Sequence, residues 1–259
     1  MQIGLCISAA QGDAYRNTGA DFLEENVQGF LIPLQPDAEF APKLAQAQAS
    51  PLPVRTASLF LPGALKCVGP AVDLKAILRY ADVAFSRAAQ TGIEVIVFGS
   101  GGSRQVPDGF PPDQALEQFV DLLKRLGPLA QTHGVRLTVE PLSRGDCNLI
   151  NTLDDGLAAV RQCDHPRVGL LADIYHMTQN GETPDAIVRA GSFLWHVHIA
   201  EHAKRTAPGV AGDDFDPFLR ALRQIEYKGM ISIECMGINS PDDAGRAVQE
   251  LRRQLAAAH

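Results

Sequence analysis

Residues 94–140 read EVIVFGSGGSRQVPDGFPPDQALEQFVDLLKRLGPLAQTHGVRLTVE. An apolar, β-branched run (94–98) is followed by a Gly- and Pro-rich loop, and residues 113–133 place Leu116, Phe119, Val120, Leu123 and Leu126 on one helical stripe. Gly134 stands where a helix would release the chain, and a second β-rich run, VRLTV (135–139), follows at once. This is the pattern of a βαβ unit.

The unit recurs in both directions. QIGLCI (2–7), VRTASLF (54–60), VGLLA (168–172), WHVHI (195–199) and MISIE (230–234) read as further strands, and residues 72–90 repeat the helical stripe through Leu74, Ile77, Leu78, Ala81, Ala84, Phe85 and Ala88 before Gly92. An eighth strand falls within residues 20–31, where Asp21, Glu24, Glu25 and Asn26 interrupt the apolar pattern, and residues 9–19 are too short and polar for a full helix. Eight strands alternating with helices in 259 residues predict a (β/α)8 TIM barrel formed by one domain, residues 1–259. An open dinucleotide-binding sheet would want a glycine fingerprint after the first strand, which Gly4 and Gly12 do not supply.

Composition narrows the class of partner. The chain is 46% hydrophobic and 20% charged, and 23 Lys+Arg against 30 Asp+Glu leave a formal charge of −7, with no basic cluster to track a phosphate backbone. Nucleic acid is therefore not expected as a partner, nor is a membrane, since no apolar stretch approaches 18 residues. Five scattered cysteines without a C-x-x-C pair, and a start lacking a basic leader, predict a reducing cytoplasm. The barrel shape permits a homo-oligomer without demanding one.

In such barrels chemistry sits at the C-terminal strand ends. There the second half of the chain places Glu140, Asp173, His198 and Glu234, one from each of four successive strands. One inward carboxylate could be an internal hydrogen-bonding group, but three at one mouth repel one another and stay partly protonated unless a cation joins them. The set predicts a divalent metal ion; mostly oxygen donors favour Mn2+, with Mg2+, Co2+ and Zn2+ behind it.

The segments VEPLSRGDCNLINT (139–152), ADIYHM (172–177), HVHIAEHAKRTAPG (196–209) and ISIEC (232–235) resemble the xylose-isomerase-like sugar isomerase/epimerase superfamily, nearest its ketose 3-epimerase branch. The resemblance implies that Glu140, Asp173, His198 and Glu234 hold one catalytic metal, with Glu140 and Glu234 as the acid/base pair. It further implies a sugar substrate held by His176 and Arg205, with Asp146 orienting His176. Two departures stand out: the interval from His198 to Arg205 is one residue longer than the family pattern, which brings Lys204 into question, and Asp146 replaces the usual glutamate.

The implied activity is epimerisation or isomerisation of a ketose or keto-sugar acid by proton transfer through a metal-stabilised enediolate. An inosose-dehydratase-like lyase is the alternative. An apurinic-endonuclease-like repair enzyme would need more histidines and a basic face. Among the remaining residues, His196 is read as a core hydrogen-bonding group, Trp195 as packing beneath a helix, and Glu24 is left outside the site. Gly99–Arg104 is read as an anion cradle or a lid, and Phe60 and Phe110 as covers for a sugar face or hydrophobic loop anchors.

Overall fold

Strands β1 (Gln2–Cys6), β2 (Phe22–Asn26), β3 (Val54–Ser58), β4 (Val95–Phe98), β5 (Arg136–Val139), β6 (Val168–Asp173), β7 (Leu194–Ile199) and β8 (Met230–Ile233) pair in chain order, all parallel, and β8 pairs back with β1. The structure, a computed structural model, describes residues 1–258; His259 lies outside the described residues. Helices α1 (Gly12–Tyr15), α2 (Asp37–Ala49), α3 (Leu74–Thr91), α4 (Gly101–Arg104), α5 (Pro112–Thr132), α6 (Leu153–Cys163), α7 (Ile174–Gln179), α8 (Asp185–Ala190), α9 (Asp216–Gln224) and α10 (Pro241–Ala257) occupy the connections. The result is the closed (β/α)8 barrel. Among the described residues no helix is long and apolar enough to cross a membrane.

Local chemistry sets the boundaries. Asp73 caps α3 by accepting the Ala76 N–H at 2.9 Å, and Gly92 closes it in the left-handed region, φ 83°. Thr152 and Asp155 form a capping box at the start of α6. The stripes Ile77, Ala81, Ala84, Phe85, Ala88 on α3 and Phe119, Val120, Leu123, Leu126 on α5 are buried against the sheet, whereas Leu74, Leu78 and Leu116 lie half-buried at their borders. The first connection is short, as its polarity predicts: a 3-10 turn (Ala9–Gln11) and α1 alone.

Inside the barrel the side chains are layered. Phe22, Val95 and Met230 form an apolar plug separate from the outer core, and Gly4 leaves room for it, since a Cβ there would meet the Phe22 ring at 2.3 Å. One layer nearer the mouth, Glu24, Thr56, Thr138, His196 and Ser232 are buried polar residues. Two register shifts aim this layer and the mouth above it. Leu23 pairs with Val54 but Glu24 with Thr56, and Leu170 pairs with Leu194 but Leu171 with His196, so Arg55 and Trp195 are the extra residues. The second shift sets Asp173 opposite His198. Trp195 faces outward over Gly169, as expected.

Glu182 shows how the outer shell responds to pH. Its Oε2 accepts the Leu153 N–H at 2.9 Å at the start of α6. Burial, aided by Asp154 and Asp155 and opposed by that N–H, pushes its carboxyl from 4.5 up to about 7. The folded chain thus keeps a proton that the unfolded chain releases between those values, and its stability falls as pH rises through that window. Glu182→Gln keeps the acceptor and removes the charge. Thermal unfolding should therefore show the variant gaining over the wild type at pH 8 but not at pH 4.5; an equal shift at both would count against this assignment.

Candidate active site

Glu140 follows β5 directly, Asp173 ends β6, His198 lies near the end of β7 and Glu234 follows β8. Each offers one ligand atom, and these atoms lie within 4.8 Å of one another. His198 Nδ1 stands 3.2 Å from Glu140 Oε1 and 3.1 Å from Glu234 Oε2. Both Glu140 Oε1 and His198 Nδ1 are buried without an aligned hydrogen-bond partner. Orphaned polar atoms of this kind are costly, and a divalent cation at their common focus would satisfy them. Three carboxylates and one imidazole are a donor set suited to Mn2+, Mg2+, Co2+ or Zn2+.

The surroundings hold these groups in place. Gly99 is required by space, because a Cβ there would stand 2.0 Å from Glu140 Oε2. Arg104 is completely buried and donates from Nη2 to the Glu140 carbonyl at 2.8 Å, anchoring the end of β5. Asp173 divides its oxygens: Oδ1 accepts the N–H groups of Tyr175 (2.8 Å) and His176 (3.3 Å), capping α7, while Oδ2 faces the mouth. Arg205 Nη2 bridges Asp173 Oδ2, at 3.1 Å, and Glu234 Oε2. Burial alone would raise the Glu234 carboxyl, but His198 and Arg205 hold it below the usual range. Burial likewise opposes charge on His198, and Glu24 and Glu234 outweigh it, lifting its imidazole well above the ordinary value.

The expected sugar-binding residues are brought to the same mouth, with one rearrangement. His176 is buried, and its Nε2 lies 3.5 Å from Asp173 Oδ2. Its Nδ1 accepts the Ser143 N–H at 3.2 Å, whereas Asp146 stands 3.6 Å away and accepts instead from the Ser143 hydroxyl. The expected Asp146–His176 hydrogen bond is therefore absent; the shorter side chain stops at Ser143, and the backbone orients the ring.

The loop after β7 carries two consecutive left-handed residues, Lys204 (φ 57°) and Arg205 (φ 53°). Lys204 turns to solvent, while Arg205 turns inward with its guanidinium 4.8 Å from the Tyr175 ring centre. Buried Glu201 pins this loop, accepting the N–H groups of Gly209 (2.8 Å), Gly212 (2.9 Å), Asp213 (3.3 Å) and Ala211 and the Thr206 hydroxyl (2.8 Å).

Two readings of the sequence are corrected, and the alternatives for Phe60 are resolved. Glu24, left outside the site, lies buried beneath it with Oε1 2.8 Å from His198 Nε2. Its strand looks polar because FLEEN sends Glu24 into the barrel two positions after Phe22, an alternation that the sequence does contain. Of the two readings of Phe60 the hydrophobic anchor holds, since it is fully buried, 5.5 Å from Phe85 and 5.3 Å from Phe98. Gly99–Arg104 is neither cradle nor lid, because the buried Arg104 side chain is committed to the Glu140 carbonyl. His196 holds the core position expected of it, 3.1 Å from the Met230 carbonyl.

A parallel eight-stranded barrel with a four-residue acidic and imidazole cluster at its C-terminal mouth defines the class. The chain belongs to the xylose isomerase-like TIM barrel family, whose model matches residues 13–258. Among curated proteins it is similar to an L-ribulose 3-epimerase of Methylomonas sp. (strain DH-1), 35% identical over 117 residues, and to a D-psicose 3-epimerase of Ruminiclostridium cellulolyticum, 32% identical over 119 residues. These matches cover 44% and 46% of this chain and 40% of each relative, so the chain spans less than half the length of the curated relatives it matches. Its fold superimposes on a D-psicose 3-epimerase from Clostridium cellulolyticum H10, solved with D-tagatose, with a TM-score of 0.85 at 21% identity over 98% of this chain and 99% of that one.

Proposed function

We propose that this chain is a divalent-metal-dependent sugar epimerase or isomerase that moves a proton at the carbon beside a ketose carbonyl, with C3 epimerisation of a free ketose as its reaction. The observation that carries the reading is the convergence of Glu140, Asp173, His198 and Glu234, in which Glu140 and Glu234 approach His198 Nδ1 from two different strands. The printed activities of the curated relatives support the substrate class. Mn2+ is the preferred ion because three of the four donors are carboxylates.

A bound divalent cation supplies positive charge that stabilises the negative charge developing on the substrate's carbonyl oxygen. One of Glu140 and Glu234 takes the proton from the carbon beside the carbonyl, and the other returns a proton to the opposite face, which inverts the centre. His198 and Arg205 both favour the ionised form of Glu234. His176 and Arg205 hold substrate oxygens, and Arg205 can fork to two of them. Five free thiols fit a reducing cytoplasm as the working compartment.

Incubation of the Mn2+-loaded protein with a panel of ketopentoses and ketohexoses in 2H2O tests the reading. The expected result is deuterium at C3 together with the C3 epimer. Loss of water from the sugar would instead assign the lyase chemistry, and no exchange with any member of the panel would refute proton transfer at a ketose. Substitution of His176 or Arg205 by Ala should raise KM or lower kcat/KM without changing metal content, with Lys204→Ala as the silent control.

A further inference from the structure

Glu24 lies at the centre of the barrel, one layer beneath the mouth, with both carboxylate oxygens fully engaged. Oε1 is 2.8 Å from His198 Nε2. Oε2 is 2.8 Å from His196 Nε2 and accepts the hydroxyls of Thr56 (2.6 Å) and Ser232 (2.6 Å). All of these side chains are buried.

The protons in this network can be assigned by elimination. The Met230 carbonyl can only accept, so His196 Nδ1, 3.1 Å away, carries a hydrogen. Its Nε2 lies 2.8 Å from Glu24 Oε2 and 3.2 Å from the Ser232 hydroxyl. On the other side, His198 Nδ1 faces Glu140 and Glu234 and must be bare to ligate a cation. The His198 ring hydrogen therefore belongs on Nε2, where Glu24 Oε1 accepts it.

We propose that Glu24 is a positioning residue of the metal centre, with His196, Thr56 and Ser232 holding its carboxylate under His198. It fixes the His198 tautomer, aims the Nδ1 lone pair into the mouth and, through its charge, makes that nitrogen a stronger donor. A carboxylate sealed at this depth beneath three others is unfavourable unless positive charge offsets it, and in the loaded site the cation supplies that charge through His198. The register shift in β2/β3, which sets Glu24 opposite Thr56, is the backbone feature that delivers the group.

The assignment rests on the metal reading above, and the experiment separates the two. Glu24→Gln can keep an oxygen on His198 Nε2 while its amide nitrogen, with two N–H groups, faces His196, Thr56 and Ser232, so it removes the charge and keeps the acceptor under His198; Glu24→Ala removes the acceptor as well. Mn2+ affinity is measured by competition with a chelating indicator, with circular dichroism and unfolding temperature as controls for the fold. Histidine-selective 15N NMR of the Mg2+-loaded wild type reads the tautomer directly.

The expected results are a protonated Nε2 and bare Nδ1 on His198, and Mn2+ affinity weakened by roughly 10- to 100-fold, more in the Ala variant than in the Gln variant. A merely structural role would lower the unfolding temperature and leave the affinity of the folded protein unchanged. Folded Glu24→Gln protein that binds Mn2+ within about threefold of the wild type, or a wild-type His198 protonated on Nδ1, overturns the proposal while leaving the metal centre intact. If the wild type binds no Mn2+, the metal reading and this proposal fall together. Should Glu24→Ala not fold, the Gln variant and the wild-type spectrum decide.

Discussion

Glu140→Gln and Glu234→Gln each lower turnover by about 10²-fold or more at saturating Mn2+, because each removes one of the two groups asked to move a proton. Neither change should unfold the barrel. The end of β5 is held by the Glu140 main chain, whose N–H donates to Phe98 and whose carbonyl accepts from Arg104, and Glu234 is tied to β7 through its N–H to the Ile199 carbonyl. The two variants should also differ in kind from a general loss of activity. With one glutamate intact, solvent deuterium still enters one epimer of the substrate from one face, but inversion stops. Steady-state rates and 2H exchange followed by NMR check this, and a metal-loaded variant with near-normal epimerisation would rule out the two-base scheme.

Gly99→Ala is expected to cost at least about 10-fold in Mn2+ affinity and about 10²-fold in turnover, although the substitution adds only a single methyl group. The added carbon would stand 2.0 Å from Glu140 Oε2 and 3.2 Å from its Cδ, so the carboxylate has to leave its position beside His198 Nδ1. Gly102→Ala is the matched control on the same loop, since its Cβ would meet the Gly63 backbone at an ordinary 3.5 Å. Metal titration and kinetics of the two variants should diverge. Equal behaviour would mean that the carboxylate can repack without moving its ligating oxygen.

The second half of the barrel is legible because its strands combine an apolar run with a terminal acid, as in VGLLAD, and because parallel strands bury both faces. β2 is harder to read since its buried face carries Glu24, whose partners come from β3, β7 and β8 and are invisible to any local pattern. The same holds for Phe60, assigned by contacts with Phe85 and Phe98, and for Arg104, assigned by one carbonyl. Asp146 is a different case. The family resemblance points it at His176, but it stands 3.6 Å from the ring and accepts from the Ser143 hydroxyl, while the Ser143 N–H donates to His176. The convergence of strand-end side chains on one mouth can thus be read from sequence, while the polar groups packed beneath them depend on inter-strand register, which two bulges alter here.

Asp173 gives the mouth a property that no list of ligands conveys. Its two oxygens serve different masters: one fixes the first turn of α7, which carries Tyr175 and His176, and the other faces the cation-binding cluster and Arg205. On the proposed function, a cation drawn to the second oxygen would act on the same carboxylate that caps the helix carrying His176. Ion and sugar would then be thermodynamically linked, and the linkage would be reciprocal: the factor by which the sugar tightens the ion would equal the factor by which the ion tightens the sugar.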